Sequence, residues 1–394
     1  MSRICFYGLS ASPFQLKMQA LADYSDCAWQ RWPDEAPSRW AARRQFAGLE
    51  FAKRRGRVRR FPYLDALDEY PSVPFYRIDS GPWYFDSTGF SHHLDALQPG
   101  NQAPLTPEDP SLAYVTQLID EAFDEFGLYM VHHMRWAGTA RTTAMPQITA
   151  AEMRSMLPAF AQQRLQRQLA ARQSRRCPYL FSVAPAGFDL GIPAAMTPPS
   201  VENFPETHSL LNTAWRDYLS AMEALLARQP FLLGDRFTLA DASAYGQLSM
   251  NLVDGAPAEL LRELAPLTFD WLCAIRDGTH CGSPGDLYFS DDLKPLLEII
   301  GQTFVPLMRQ NESAHDEWIA KGEKLFNEPA FDQGRALYSG ELLGYPFRSV
   351  AKTFQVRVWR DLLSAWNDLP DSAAQALRRY LPATCSVESP GALT

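Results

Sequence analysis

Apolar and polar positions divide the first hundred residues into short, well-separated elements. Residues 3–9, Arg3-Ile4-Cys5-Phe6-Tyr7-Gly8-Leu9, form an apolar run that reads as a strand. It breaks into Ser10-Ala11-Ser12-Pro13, and over residues 13–24 Phe14, Met18 and Leu21 recur on one helical face. Pro is favoured at the first helical position and Ser at the N-cap, so Ser12-Pro13 marks a helix start. Residues 28–32 read as a second strand. Residues 75–78 and 83–85 form a hairpin around Ser80-Gly81-Pro82, and residues 87–97 a helix opened by Asp86-Ser87. The proline-rich stretch 99–110 reads as a linker.

Beyond the linker the period is helical. Residues 111–136 carry Tyr114, Leu118, Phe123, Phe126 and Met130 at helix spacing, and 150–176 and 207–229 read as further helices. Residues 178–205 are loop-rich. Thr238, with Asp241 three residues on and Phe237 before it, predicts a capping box and staple opening a buried helix over 240–252. In the remainder, 292–308, 314–325 and 350–369 read as helices, 336–347 as a small hairpin, and the stretch after residue 381 as a loose polar tail.

At 394 residues the chain is too long for one core, and 46% hydrophobic with 21% charged residues is the balance of a soluble globular protein. No apolar run is long enough to span a bilayer, and the start lacks a signal-peptide core of adequate length. Six scattered cysteines without a Cys-x-x-Cys pair fit free thiols in a reducing cytoplasm. A net charge of −8 argues against a general polyanion binder. The basic block Lys53-Arg54-Arg55-Gly56-Arg57-Val58-Arg59-Arg60 has no stacking platform, so it reads as a solvated helix face or a funnel for an anionic ligand. Adjacent histidines point to different helix faces, so His92-His93 and His132-His133 cannot each chelate one metal, and none is expected.

Three segments carry a family resemblance: 4–17 with Ser12-Pro13, 71–87 with Val73-Pro74 and Asp86-Ser87, and 234–241 with the capping box. Together they resemble a cytosolic glutathione transferase of the serine type, like long bacterial members with a C-terminal extension. The resemblance implies a thioredoxin-like α/β module over 1–98, a linker over 99–110, an all-helical domain over 111–283, and an extension over 284–394 packed on that domain. It also implies glutathione as co-substrate, a small hydrophobic electrophile, a homodimer, a detoxifying role and a cytoplasmic location, with neither nucleic acid nor membrane as partner.

Each site residue has a chemical rationale within that resemblance. A thiol with a pKa of about 8.5 is a few per cent thiolate at neutral pH, and a hydroxyl at a helix N-terminus stabilises the anion. Ser12, or Ser10, is that donor. Val73 would pair with the cysteinyl backbone, with Pro74 setting the geometry. Asp86 and Ser87 would hold the zwitterionic γ-glutamyl group, and Tyr7, Phe14, Tyr114, Tyr129 and Trp136 would line the electrophile site. The connection from 32 to 74 is about twice the family's usual length, and one of its arginines is expected to meet the glycine carboxylate. A glutathione-dependent lyase, ether-cleaving or dehalogenating enzyme, and a non-catalytic interaction module, are the alternatives on the same scaffold.

Overall fold

A computed structural model describes residues 3–62, 74–98, 102–282 and 285–387. The chain opens with β1 (Arg3–Tyr7), α1 (Pro13–Tyr24) and β2 (Ala28–Trp32), as the sequence pattern predicts. The long connection folds into α2 (Arg39–Arg54) and a short β3 (Arg59–Arg60), and β4 (Phe75–Ile78), β5 (Tyr84–Phe85) and α3 (Ser87–Leu97) complete the module. The strands order as β2-β1-β4-β5-β3, with β1 parallel to β2 and antiparallel to β4. This is the thioredoxin-like arrangement, extended at one edge by β3 from the insertion. Phe6 and Tyr76, paired across β1 and β4, both turn to the helical side, where Phe90 of α3 meets them edge-on. The other side is covered by α2, whose Leu49 packs with Tyr7, Phe75, Trp83 and Phe85.

The helical part begins at α4 (Pro110–Ala122), capped by Asp109, whose side chain accepts from the Ser111 and Leu112 amides. It continues through a wide π-type turn at Phe123–Gly127 into α5 (Leu128–His133) and a second such turn at Met134–Gly138. The predicted helix over 150–176 is two helices, α6 (Met145–Glu152) and α7 (Ala159–Arg176). Pro158 separates them, because the residue before proline is pushed out of the helical region. Next come α8 (His208–Leu226) and α9 (Leu239–Ser249), with α10 (Gly255–Leu264) and α11 (Pro266–Arg276) following. The capping box forms: Asp241 accepts from both the Thr238 amide and its hydroxyl, and its second oxygen takes the Leu232 amide at 2.7 Å. Gly246 of α9 lets α1 approach, since a Cβ there would sit 2.8 Å from the Pro13 carbonyl.

In the last third, α12 (Lys294–Ala320) runs unbroken through residues 309–313, where a break between two helices was expected. It packs on α4 and α8, so the core that holds Phe123 and Tyr218 also holds Ile300, Phe304, Trp359 and Leu377. After it come α13 (Glu328–Asp332), the hairpin of β6 (Leu337–Leu342) and β7 (Tyr345–Val350), then α14 (Thr353–Asn367) and α15 (Asp371–Tyr380). The hairpin was legible in sequence; α15 was not. No described helix is long and apolar enough to cross a membrane.

Candidate active site

A cavity of about 520 Å³ lies where the α/β module, the helical layer and the extension meet. Phe14, Pro74, Phe85, Asp86 and Ser87 wall one side; Glu121, Asp124, Leu128 and Tyr129 of the α4–α5 rod wall another. Arg172 and Arg176 approach from α7 and Tyr179 from the turn after it, and Lys352, Phe354, Gln355 and Val358 from the extension.

Asp86 sits at the N-cap of α3 with φ 78°, a left-handed value uncommon outside glycine. One carboxylate oxygen accepts the Gly89 amide at 2.7 Å, and the other accepts Arg60 Nε at 2.7 Å. Arg357 of α14 comes within 4.0 Å of the same oxygen. Burial alone would raise the Asp86 pKa, but Arg60 and the Gly89 amide hold the carboxyl below its ordinary range. Its arginine partner comes from the chain's own insertion. Ser87 lies at the first turn of α3, its hydroxyl 3.4 Å from Asp124.

Beneath the cavity lies a polar cluster that sequence reasoning missed. Lys17 of α1 is fully buried, and its ammonium donates to Asp120 at 2.5 Å, Asp124 at 2.6 Å and Thr88 at 3.1 Å. Thr88 and Ser243 also donate to Asp120. Burial opposes a charge on Lys17, yet the two carboxylates hold its pKa above the usual value. Glu121 is pushed well above the carboxylate range by burial and then by Asp120 and Asp124. Burial lifts Asp124 to about 6 despite Lys17. The signal was present: a lysine flanked by Leu16 and Met18 in an amphipathic helix that docks on both faces.

Ser12 occupies the N-cap of α1, nearly buried, and its side chain makes no capping bond. It is not one of the cavity's lining residues, although Phe14, two residues on, is. Ser10 is drawn elsewhere, its amide donating to the Glu152 carboxylate at 3.2 Å. The buried Arg135 donates to the Ala11 carbonyl at 3.3 Å and to Met250, placing a guanidinium at the start of α1. Val73 lies outside the described residues; Pro74 lines the cavity.

Of the five aromatic candidates, Phe14 and Tyr129 face the cavity. The other three do not. Tyr7 packs under α2, Tyr114 meets Trp366 of the extension edge-on, and Trp136 packs with Met145 and Cys177. Their side of the element could not be read before the packing partners were known. The histidines are structural: His132 bonds Gln173, and His133 bonds Ser182. Among the described residues no group of side chains could hold a metal ion.

Residues 205–272, spanning α8 to α11, match the family described as glutathione S-transferase, C-terminal domain. This stretch alone carries the family's sequence signature. Among solved structures it is similar to the beta-etherase LigF from Sphingobium sp. strain SYK-6, at 17% identity over 75% of this chain and 98% of that one, with a TM-score of 0.38. A glutathione S-transferase from Rhodospirillum rubrum F11 gives 16% identity over 75% and 92%, with a TM-score of 0.36. Glutathione transferase F2 from Populus trichocarpa gives 14% over 75% and 98%, at 0.34. Comparison with curated proteins gives no match.

Proposed function

We propose that the chain is a glutathione-dependent transferase that binds the γ-glutamyl end of glutathione at the mouth of α3 and activates its thiol at the start of α1. The observation that carries this reading is one cavity walled by Ser87 and Pro74 of the α/β module and by Leu128 and Tyr129 of the helical part. The Ser87 hydroxyl, the α3 N-terminus and Arg60 suit the γ-glutamyl carboxylate. The carboxylates on the opposite wall, Glu121 and Asp124, suit the ammonium. Ser12 has a hydroxyl not spent on capping, and Arg135 adds a buried cation one residue away; both favour a thiolate over a thiol.

In this scheme residues 1–98 hold glutathione, 99–110 connect, and 111–283 with 284–394 enclose a hydrophobic electrophile. A detoxifying role, a homodimer and a cytoplasmic place belong to the same proposal. Thermal melting of the full chain in rising glutathione tests it. A ligand at a hundred times its dissociation constant stabilises by about 2.7 kcal/mol. An unmoved melting temperature at millimolar glutathione would reject the proposal.

A further inference from the structure

We propose that the outer faces of α2 and α7 form a docking surface for an anionic lipid bilayer. Arginines would meet the headgroups, and exposed aromatic rings would settle into the interface between them.

Charge is segregated along this chain. Residues 39–60 hold nine basic residues and one acid, and residues 153–176 hold six basic residues and no acid, in a chain whose net charge is −8. The two segments are neighbours in the fold, because α2 and α7 both pack against the turn Met153–Ser155, where Arg154 is exposed. A strongly positive region therefore stands on a protein that is negative as a whole.

Apolar surface coincides with that charge. Among the described residues, the exposed tryptophan and phenylalanine side chains all lie on these two helices: Trp40, Phe46 and Phe51 on α2, and Phe160 on α7. Trp40 is 69% exposed and Phe160 74%. Apolar rings grouped within a charged rim mark a contact surface.

The helical period sorts the residues of α2. Ala42 and Leu49 are buried, and the opposite side carries Trp40, Ala47 and Phe51 in one line, since positions seven and eleven apart share a face. Arg43 and Arg54 flank that line on one side, Arg44 and Arg55 on the other. Arg44 lies over the Trp40 ring at 5.2 Å, and Arg55 over the Phe51 ring at 5.1 Å.

Aromatic rings bordered by cations suit the headgroup layer of a bilayer, where tryptophan is favoured and arginine meets phosphate. Each basic side chain adds to the attraction for an anionic leaflet, and salt screens it. A nucleic acid would need open ring faces to stack on, and guanidinium groups already lie over those of Trp40 and Phe51. No described helix is long and apolar enough to cross a membrane, so the contact is peripheral. The family resemblance implies no membrane partner, and this surface departs from that expectation. The basic region also borders the cavity, which Arg60 and Arg172 both line. A hydrophobic compound concentrated in the bilayer would be met close to that opening.

Sedimentation of the full chain with vesicles tests this, using phosphatidylcholine alone or mixed with phosphatidylserine. The wild type should sediment with the mixed vesicles, stay in solution with phosphatidylcholine alone, and be released as salt rises. Arg43→Glu with Arg44→Glu should weaken binding by about a hundredfold. Arg216→Glu with Arg262→Glu, the same charge change at exposed positions of α8 and α10, should leave binding close to wild type. Trp40→Ser with Phe51→Ser should weaken binding by about tenfold while keeping the preference for phosphatidylserine. Thermal melting checks that each variant is folded. Should an α2 variant melt lower, Phe160→Ser with Arg164→Glu on α7 decides, and should weaken binding likewise. A wild type that stays in solution with the mixed vesicles would overturn the proposal, as would equal losses in the two charge-reversal pairs. Binding of duplex DNA without binding of vesicles would overturn the lipid and make the surface one for nucleic acid.

Discussion

Arg60 Nε donates to the Asp86 carboxylate at 2.7 Å, tying the end of an arginine-rich insertion to the helix start that faces the cavity. Neither group is exposed to bulk water. Removing Arg60 leaves the buried Asp86 carboxylate with only the more distant Arg357 as a cation beside it, at a cost larger than the intact pair contributes.

Arg60→Met should therefore raise the glutathione dissociation constant by about tenfold or more, a loss of roughly 1.4 kcal/mol or greater. Arg44→Met, on the exposed face of α2, should leave it unchanged. Calorimetric titration of both variants checks the contrast, and equal affinities would remove Arg60 from the site.

Lys17 holds three helices together, because its ammonium meets Thr88 of α3 and Asp120 of α4, with Asp124 just beyond, from within α1. Lys17→Met should destabilise the fold by about 3–5 kcal/mol in urea titrations, since two carboxylates lose their counter-ion. Adding Asp120→Asn to Lys17→Met should recover part of that loss. A double variant no more stable than the single one would argue against charge as the cause.

Buried neutral histidines set an acid limit on stability. Burial lowers His132 to about 3 and His208 to about 4, and pushes His133 well below its ordinary value. Unfolded histidines bind protons below about 6.5, whereas these folded ones do not, so stability is present above that value and falls as pH drops beneath it. Each contributes a slope of up to about 1.4 kcal/mol per pH unit. His132→Gln should flatten the melting profile between pH 6.5 and 4 in thermal scans.

The extension shares its core with the helical layer, with Phe304 and Trp359 in the same cluster as Phe123 and Tyr218. A chain ending at residue 283 would expose that apolar surface to water. It should be recovered as aggregate, or bind the hydrophobic dye used for molten states. A monodisperse, cooperatively melting fragment would show the extension to be dispensable for folding.

Much of the architecture was legible because local signals agreed. Ser12-Pro13 opened α1, Asp86-Ser87 opened α3, and Thr238 with Asp241 opened α9 at the expected places. The misses share a physical origin in long-range packing. The sequence reading broke the helix between residues 308 and 314, but α12 is packed on several sides and continues across that stretch. Residues 255–276, to which the sequence reading gave no element, form α10 and α11, each with a proline in its first turn. The site was half legible for the same reason. Asp86, Ser87, Phe14 and Tyr129 were named from local sequence, whereas Lys17, Glu121, Asp124 and Lys352 come together only through contacts across the fold.

The central claim is that α1 lowers the pKa of a thiol bound beside it, and the ultraviolet band of the thiolate measures this directly. Difference spectra of the glutathione-loaded chain across pH should show the bound thiol ionising well below the free value of about 8.5. The same titration on Ser12→Ala, still loaded with glutathione, should return the transition towards that value. A bound thiol that ionises like free glutathione in the wild type would contradict the account.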